Sequence, residues 1–171
     1  MFGFFKQRNS EPQGVVAGRA APGTHILFHP ELIADLKAEH QELLAIFARM
    51  VELHEAGRHQ RLGPHLKAFG DLLQDHVAQE NVKLYIYLQR MLAEDPEQSQ
   101  LMRQFRKEMH AISRAVRAFL QRYRDVEWTP EEREAFGKEL AAIGDVLVQR
   151  VDKEEQQLYP LYQSLGVLGE A

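Results

Sequence analysis

Apolar residues recur along most of this chain at the spacing of one helical face. An α-helix has about 3.6 residues per turn, so residues three or four apart lie on the same side. Four segments follow this pattern, and each opens near a proline, which is favoured in the first turn of a helix. The pattern therefore predicts four long helices that begin near Pro30, Pro64, Pro96 and Pro130.

Two of these helix starts carry fuller signals. The segments Asp95-Pro96-Glu97-Gln98 and Thr129-Pro130-Glu131-Glu132 each place a capping side chain before proline and a Gln or Glu at the third helical position. We expect short connections near residues 57–63, 93–95 and 125–129.

The nearly even spacing of the prolines also suggests an alternative fold, a solenoid of two-helix repeats. The apolar stripes favour long helices instead, because they run from Ile33 to Met50 and from Phe136 to Leu158 without a break in the middle. The sequence predicts an all-α, antiparallel up-down-up-down four-helix bundle. We expect residues 1–24 to form a flexible N-terminal tail and residues 25–171 to form the bundle domain.

Composition narrows the function classes. The chain has 171 residues, of which 44% are hydrophobic and 27% charged, and this is typical of one globular domain. Its net charge of −4 and its interleaved basic residues argue against a nucleic-acid surface. The absence of cysteine excludes disulfides, thiolate metal sites and cysteine nucleophiles. No stretch is long and apolar enough for a membrane span, and we expect a cytoplasmic protein.

Several polar residues fall on the apolar stripes. His76 and Glu80 are four residues apart in the second segment, so both point toward the presumed core. His40, His110 and the pair Arg150 and Glu154 occupy similar positions in the other three segments. Since buried polar groups need partners, these residues predict a polar cluster inside the bundle, and a metal site is one interpretation.

Residue counts along the predicted helices indicate whether these residues lie at the same depth along the bundle axis. Counted from the expected connections, His40, Glu80 and His110 agree to within about one helical turn. Arg150 and Glu154 lie about 9 to 15 Å too far along the fourth helix, so the third connection or a helix tilt must absorb the difference.

The order of these elements resembles the hemerythrin-like, cation-binding HHE family. The resemblance covers about residues 25 to 165 and depends on Leu36-Lys37-Ala38-Glu39-His40, on His76 to Glu80, on His110 and on Glu154-Glu155-Gln156-Gln157-Leu158-Tyr159-Pro160. It implies a non-haem di-iron centre in a four-helix bundle, with a role in binding or sensing oxygen or another diatomic gas, or in the response to iron or redox state.

The resemblance also implies a ligand set. His40 and His76 would bind one iron and His110 the other, while Glu80 and Glu154 would bridge the two ions. Imidazole with carboxylate suits iron, and manganese is a second candidate. Four tyrosines flank this site, and we expect them mainly to pack as aromatic side chains: Tyr85, Tyr87, Tyr159 and Tyr162.

Arg150 departs from the family pattern, which usually has histidine at this position. Arginine offers no lone pair and stays positively charged where a second cation would bind. Three arrangements remain open: one metal ion, two ions with Arg150 turned aside, or no metal with the guanidinium between Glu80 and Glu154.

Two classes of function follow from these arrangements. The first is a metal-binding sensor or carrier, and the second is a metal-free regulatory or interaction module that keeps the bundle. No serine–histidine pair, phosphate-binding glycine loop or dinucleotide motif is present, so we do not expect an enzyme. The other histidines outside the stripes, His25, His29, His59 and His65, are expected to be exposed to solvent.

Overall fold

The computed structural model describes residues 18–167, and over these residues the chain is all-helical, with four long helices and no strand. We number them α1 to α4 in chain order. Helix α1 is Leu32–Glu55 and α3 is Pro96–Tyr123. Helix α2 consists of α-helical Leu62–Gln79, a π-helical turn at Glu80–Tyr85 and α-helical Ile86–Met91. Helix α4 likewise consists of Pro130–Lys153, a π-helical turn at Glu154–Leu158 and Tyr159–Val167. The prediction of an all-α fold with four long helices is confirmed.

The helix ends show why these segments begin and stop where they do. The Asp95 carboxylate accepts a hydrogen bond from the Gln98 N–H at 3.0 Å, and the Thr129 hydroxyl accepts one from the Glu132 N–H at 3.2 Å. Both are N-caps followed by proline, as predicted. Helix α1 ends at Glu55 and is followed by Gly57, whose φ of 68° lies in the left-handed region that favours glycine.

The buried residues form two apolar clusters. One contains Leu43 and Met50 of α1 with Leu73 of α2 and Leu147 of α4, and the other contains Leu36 with Leu84 and Leu158. On α1, α2 and α4 the sequence between the two clusters supplies polar residues. The fold therefore encloses a polar layer between two apolar ones.

The predicted N-terminal tail, residues 1–24, lies mostly outside the described residues. Within the described part, Ala21 is buried, and its N–H donates to the Ile26 carbonyl at 2.8 Å. The division between tail and bundle domain remains a prediction. No helix among the described residues is long and apolar enough to cross a membrane.

Candidate metal centre

Four polar side chains from three helices meet in the polar layer. They are His40 on α1, His76 and Glu80 on α2, and Glu154 on α4, and all four are buried. Each offers one potential ligand atom, and these atoms all lie within 4.8 Å of one another. His40 Nε2 lies 3.2 Å from Glu154 Oε2, and His76 Nε2 lies 3.7 Å from Glu80 Oε2. The structure thus brings together four of the five residues that the sequence predicted as ligands.

Two further carboxylates orient the imidazoles. His76 Nδ1 lies 2.7 Å from Glu39 Oε2, and His40 Nδ1 lies 2.9 Å from Glu155 Oε1. Since an ionised carboxylate only accepts, each Nδ1 donates a proton to its carboxylate, and each Nε2 is the ring nitrogen that faces the cluster. This is the usual support for a histidine that binds a metal.

Sequence reasoning missed both of these carboxylates. Glu39 and Glu155 were quoted only within the motifs and were given no role, whereas both side chains are partly buried against the imidazoles. The signal that could have identified them is their position, since each directly adjoins a residue of the polar layer in the sequence.

Two buried tyrosines also contribute hydroxyls to this layer. Tyr159 Oη donates to Glu80 Oε1 at 2.9 Å and lies 3.2 Å from His40 Nε2, and its ring stacks on the His40 ring. The Tyr85 hydroxyl accepts a hydrogen bond from the Arg150 guanidinium. The expectation that these residues mainly pack as aromatic side chains therefore missed their polar contacts.

The π-helical turns place these tyrosines in the layer. Tyr85 follows Glu80 by five residues and Tyr159 follows Glu154 by five, in matching segments Glu-x-x-x-Leu-Tyr. In a regular α-helix, five residues correspond to about 500°, which would turn the tyrosine about 140° away from the glutamate. The wider π-helical turn carries both side chains on nearly the same face.

Arg150 lies beside the four clustered residues and is itself buried. Its Nε donates to Glu154 Oε1, its Nη1 lies 3.5 Å from Glu108 Oε2, and its guanidinium carbon lies 4.8 Å from the centre of the Phe105 ring. Among the described residues Arg150 forms no ion pair with Glu80. The guanidinium therefore pairs with one of the two cluster carboxylates, on the side that faces α3.

The structure places His110 away from the cluster. The predicted inward position of His110 is wrong, because its side chain is exposed. The buried stripe of α3 passes through its neighbour Met109 and through Phe105 and Val116, and a step of one residue turns a side chain by about 100°.

Removing His110 from the site also explains the offset along the fourth helix. With the third connection centred near residue 127, Phe105 lies 22 residues before it and Arg150 lies 23 residues after it. These two residues are in contact, so positions at equal distance from the third connection on α3 and α4 lie at the same depth.

A second histidine pair lies at the far end of α1. His54 Nδ1 lies 2.9 Å from His59 Nε2, and the His59 ring is buried against Trp128 and Phe136. The expected exposure of His59 is therefore wrong, whereas His25 and His29 are exposed as predicted.

Burial and charge shift the ionisation of the clustered groups. Burial and the nearby Glu154 carboxylate raise the pKa of Glu80 well above its usual value. Burial, together with the charge of His40, lowers the pKa of His76. Burial also lowers the pKa of His40, but hydrogen bonds to Glu154 and Glu155 outweigh it and leave that pKa raised. A bound cation would favour the ionised form of Glu80.

One buried oxygen of the cluster is placed where a cation could bind. Glu80 Oε2 is buried and has no hydrogen-bond partner among the described residues. A buried acceptor without a partner is costly, and a metal ion would satisfy it. The donor set of two imidazoles and two carboxylates fits a transition metal such as iron or manganese.

The comparisons with known proteins agree with this chemistry. A family model described as the hemerythrin HHE cation binding domain matches residues 31–162. The resemblance stated from the sequence is therefore confirmed. None of the curated proteins and none of the solved structures matches the chain significantly.

Proposed function

We propose, because the chain belongs to the hemerythrin HHE cation-binding family, that it is a non-haem iron protein that senses or carries a diatomic gas or responds to iron or redox state. The observation that carries this proposal is the convergence of four buried ligand atoms within 4.8 Å. The proposed ligands are two imidazoles and two carboxylates, contributed by His40, His76, Glu80 and Glu154.

The donor set supports iron. Two imidazoles and a carboxylate with open positions are typical of non-haem ferrous sites, and the second carboxylate adds negative charge that offsets a divalent cation. When bound, iron supplies a redox-active centre with affinity for dioxygen and other diatomic gases. Manganese uses similar ligands and is the second candidate metal.

Arg150 supports one bound ion over two. Its positive charge is already paired with Glu154, and a second cation on that side would meet this charge in a low-dielectric interior. At this depth α3 presents Phe105, whose side chain cannot bind a metal. With His110 exposed, the described residues lack the imidazole that a second iron was expected to use.

The surrounding residues hold the site in one geometry and limit the access of water. Glu39 and Glu155 fix the two imidazoles, and Leu84 and Leu158 close the layer on one side. A cavity of about 260 Å³ between α3 and α4 reaches Arg150 from the surface. We propose this cavity as the path by which a small gas enters.

We also propose that neighbouring helices are antiparallel and that the protein is cytoplasmic. The ring of His40 lies against Tyr159 and that of His54 against Phe136, so rising numbers on α1 meet falling numbers on α4. Likewise Arg106 bonds to Gln89, while Gly70 lies against Leu120 on the same two helices. These pairs support the up-down-up-down bundle.

Metal analysis tests the proposed site. Iron, manganese and zinc are measured per chain after anaerobic reconstitution of the wild type, His76→Ala and the matched control His110→Ala. We expect one iron per chain in the wild type and the control, and loss of most of the iron in His76→Ala. Wild-type protein without metal would contradict the proposal, as would equal losses in both variants.

Gas binding is tested on the same ferrous protein. We expect dioxygen or nitric oxide to change its absorption spectrum, because the gas binds at the iron. An unchanged spectrum with iron bound would contradict gas binding and favour a response to iron level or redox state.

A metal-free regulatory or interaction module is the alternative function. It is favoured by the Arg150–Glu154 pair and the Tyr159–Glu80 hydrogen bond, which hold the cluster together without an ion. This alternative predicts no bound metal and stability that chelators do not change.

A further inference from the structure

Tyr159 holds its hydroxyl oxygen among the proposed ligand atoms. Tyr159 Oη lies 2.9 Å from Glu80 Oε1 and 3.2 Å from His40 Nε2. We infer that Tyr159 is a further ligand, so that a ferric ion bound in this site carries a phenolate oxygen in addition to the imidazoles and carboxylates. The inference rests on the proposed iron site and extends its ligand set.

The distances between these atoms match those between neighbouring ligands of one ion. Adjacent donors on a six-coordinate ion with bonds of about 2.1 Å lie about 3 Å apart. The two distances from Tyr159 Oη have this length, and so does the 3.2 Å between His40 Nε2 and Glu154 Oε2. The hydroxyl, the imidazole and the carboxylates, which are hydrogen-bonded or close to one another here, are thus near enough to bind one ion after small side-chain shifts.

Burial and packing hold the Tyr159 hydroxyl in this place. The Tyr159 side chain is fully buried, and its ring is stacked at 13° on the His40 ring. Its position follows from the π-helical turn at Glu154–Leu158, which turns a residue five positions after Glu154 toward the site.

Tyr85 provides an internal comparison. It follows Glu80 across the other π-helical turn and is equally buried, but its hydroxyl contacts Arg150, which cannot bind a metal. Tyr85 lies in the same kind of segment with a different partner, so Tyr85→Phe is the matched control for Tyr159→Phe.

The coordination step balances without an oxidant. With ferric iron in the site, the O–H bond of Tyr159 would break heterolytically, the electron pair would stay on the oxygen and be donated to the iron, and the proton would leave to the buffer. Neither the iron nor the tyrosine changes its oxidation state in this step. A phenolate bound to ferric iron absorbs visible light by charge transfer from the ligand to the metal, and this band reports the bond directly.

The test compares the visible spectra of the wild type, Tyr159→Phe and Tyr85→Phe, each loaded with ferric iron and assayed for iron content. We expect a broad visible band in the wild type and Tyr85→Phe, and its loss in Tyr159→Phe with iron still bound. If the wild type bound iron but showed no such band, the inference about Tyr159 would be overturned, whereas the proposed iron site would still be supported. Absence of iron from the wild type would overturn both.

A second measurement serves if Tyr159→Phe does not fold. Resonance Raman spectra of the wild-type ferric protein, excited within the visible band, should show ring vibrations of a metal-bound tyrosinate. A band that enhances no tyrosinate vibration arises from another ligand and would overturn the inference.

Discussion

Arg150 and Glu154 lie one helical turn apart on α4 and form an ion pair that is almost completely buried. The guanidinium makes its remaining contacts with the Tyr85 hydroxyl, the Phe105 ring and the Glu108 carboxylate. Arg150 supplies a permanent positive charge to the polar layer when no metal is present. It also accounts for the proposal of one ion.

Replacing Arg150 with methionine should destabilise the metal-free protein. Loss of one partner of a buried pair typically costs about 3 to 5 kcal/mol, because a charge is left uncompensated. For a protein of this size, each 1 kcal/mol lowers Tm by about 2 to 4 °C. We expect a drop in Tm of about 6 to 20 °C in Arg150→Met, measured by thermal unfolding with a chelator present.

Iron should reduce this loss, since a bound cation provides charge for Glu154 in place of the guanidinium. Lys153→Met is the control, because Lys153 is half-exposed and its pair with Glu108 contributes at most about 1 kcal/mol. Equal Tm values for the two variants without metal would contradict the role given to Arg150.

Two glycines in the helices have different surroundings. Gly137 of α4 lies directly against the ring of His54 on α1, which is hydrogen-bonded to His59. Gly63 of α2 has open space where a Cβ would lie. The two helical glycines therefore differ in what a methyl group would meet.

Gly137→Ala should be destabilising although alanine favours helix. The added Cβ would overlap the His54 ring, and such overpacking costs about 1 to 3 kcal/mol. Gly63→Ala should be neutral or stabilising by up to about 1 kcal/mol, because it gains helix propensity without a clash. Denaturant unfolding measures both. If Gly137→Ala raised the free energy of unfolding as much as Gly63→Ala, α1 and α4 would have to lie farther apart at Gly137 than the structure shows.

Helix starts and stripes were predictable because they depend on local chemistry. Asp95 and Thr129 cap their helices as expected, and the stripe residue Phe136 is buried as expected. The π-helical turns were not predicted, because a period of about 3.6 residues was assumed throughout. With that period, the sequence did not indicate that the tyrosines five residues after Glu80 and Glu154 share a face with them.

At the scale of the whole molecule, a polar layer lies between two apolar clusters. His40, His76, Glu80 and Glu154 were predictable as members of this layer, since each interrupts an apolar stripe. The inward position of His110 was not, because rotation about a helix axis is set by packing, and α3 turns the adjacent Met109 to the core.

Anomalous diffraction at the iron absorption edge tests the central claim most directly. Crystals of the iron-reconstituted protein should give one anomalous peak per chain, bounded by His40 Nε2, His76 Nε2 and the carboxylates of Glu80 and Glu154. A peak elsewhere on the chain, two peaks within the polar layer, or no peak in iron-saturated protein would contradict the account.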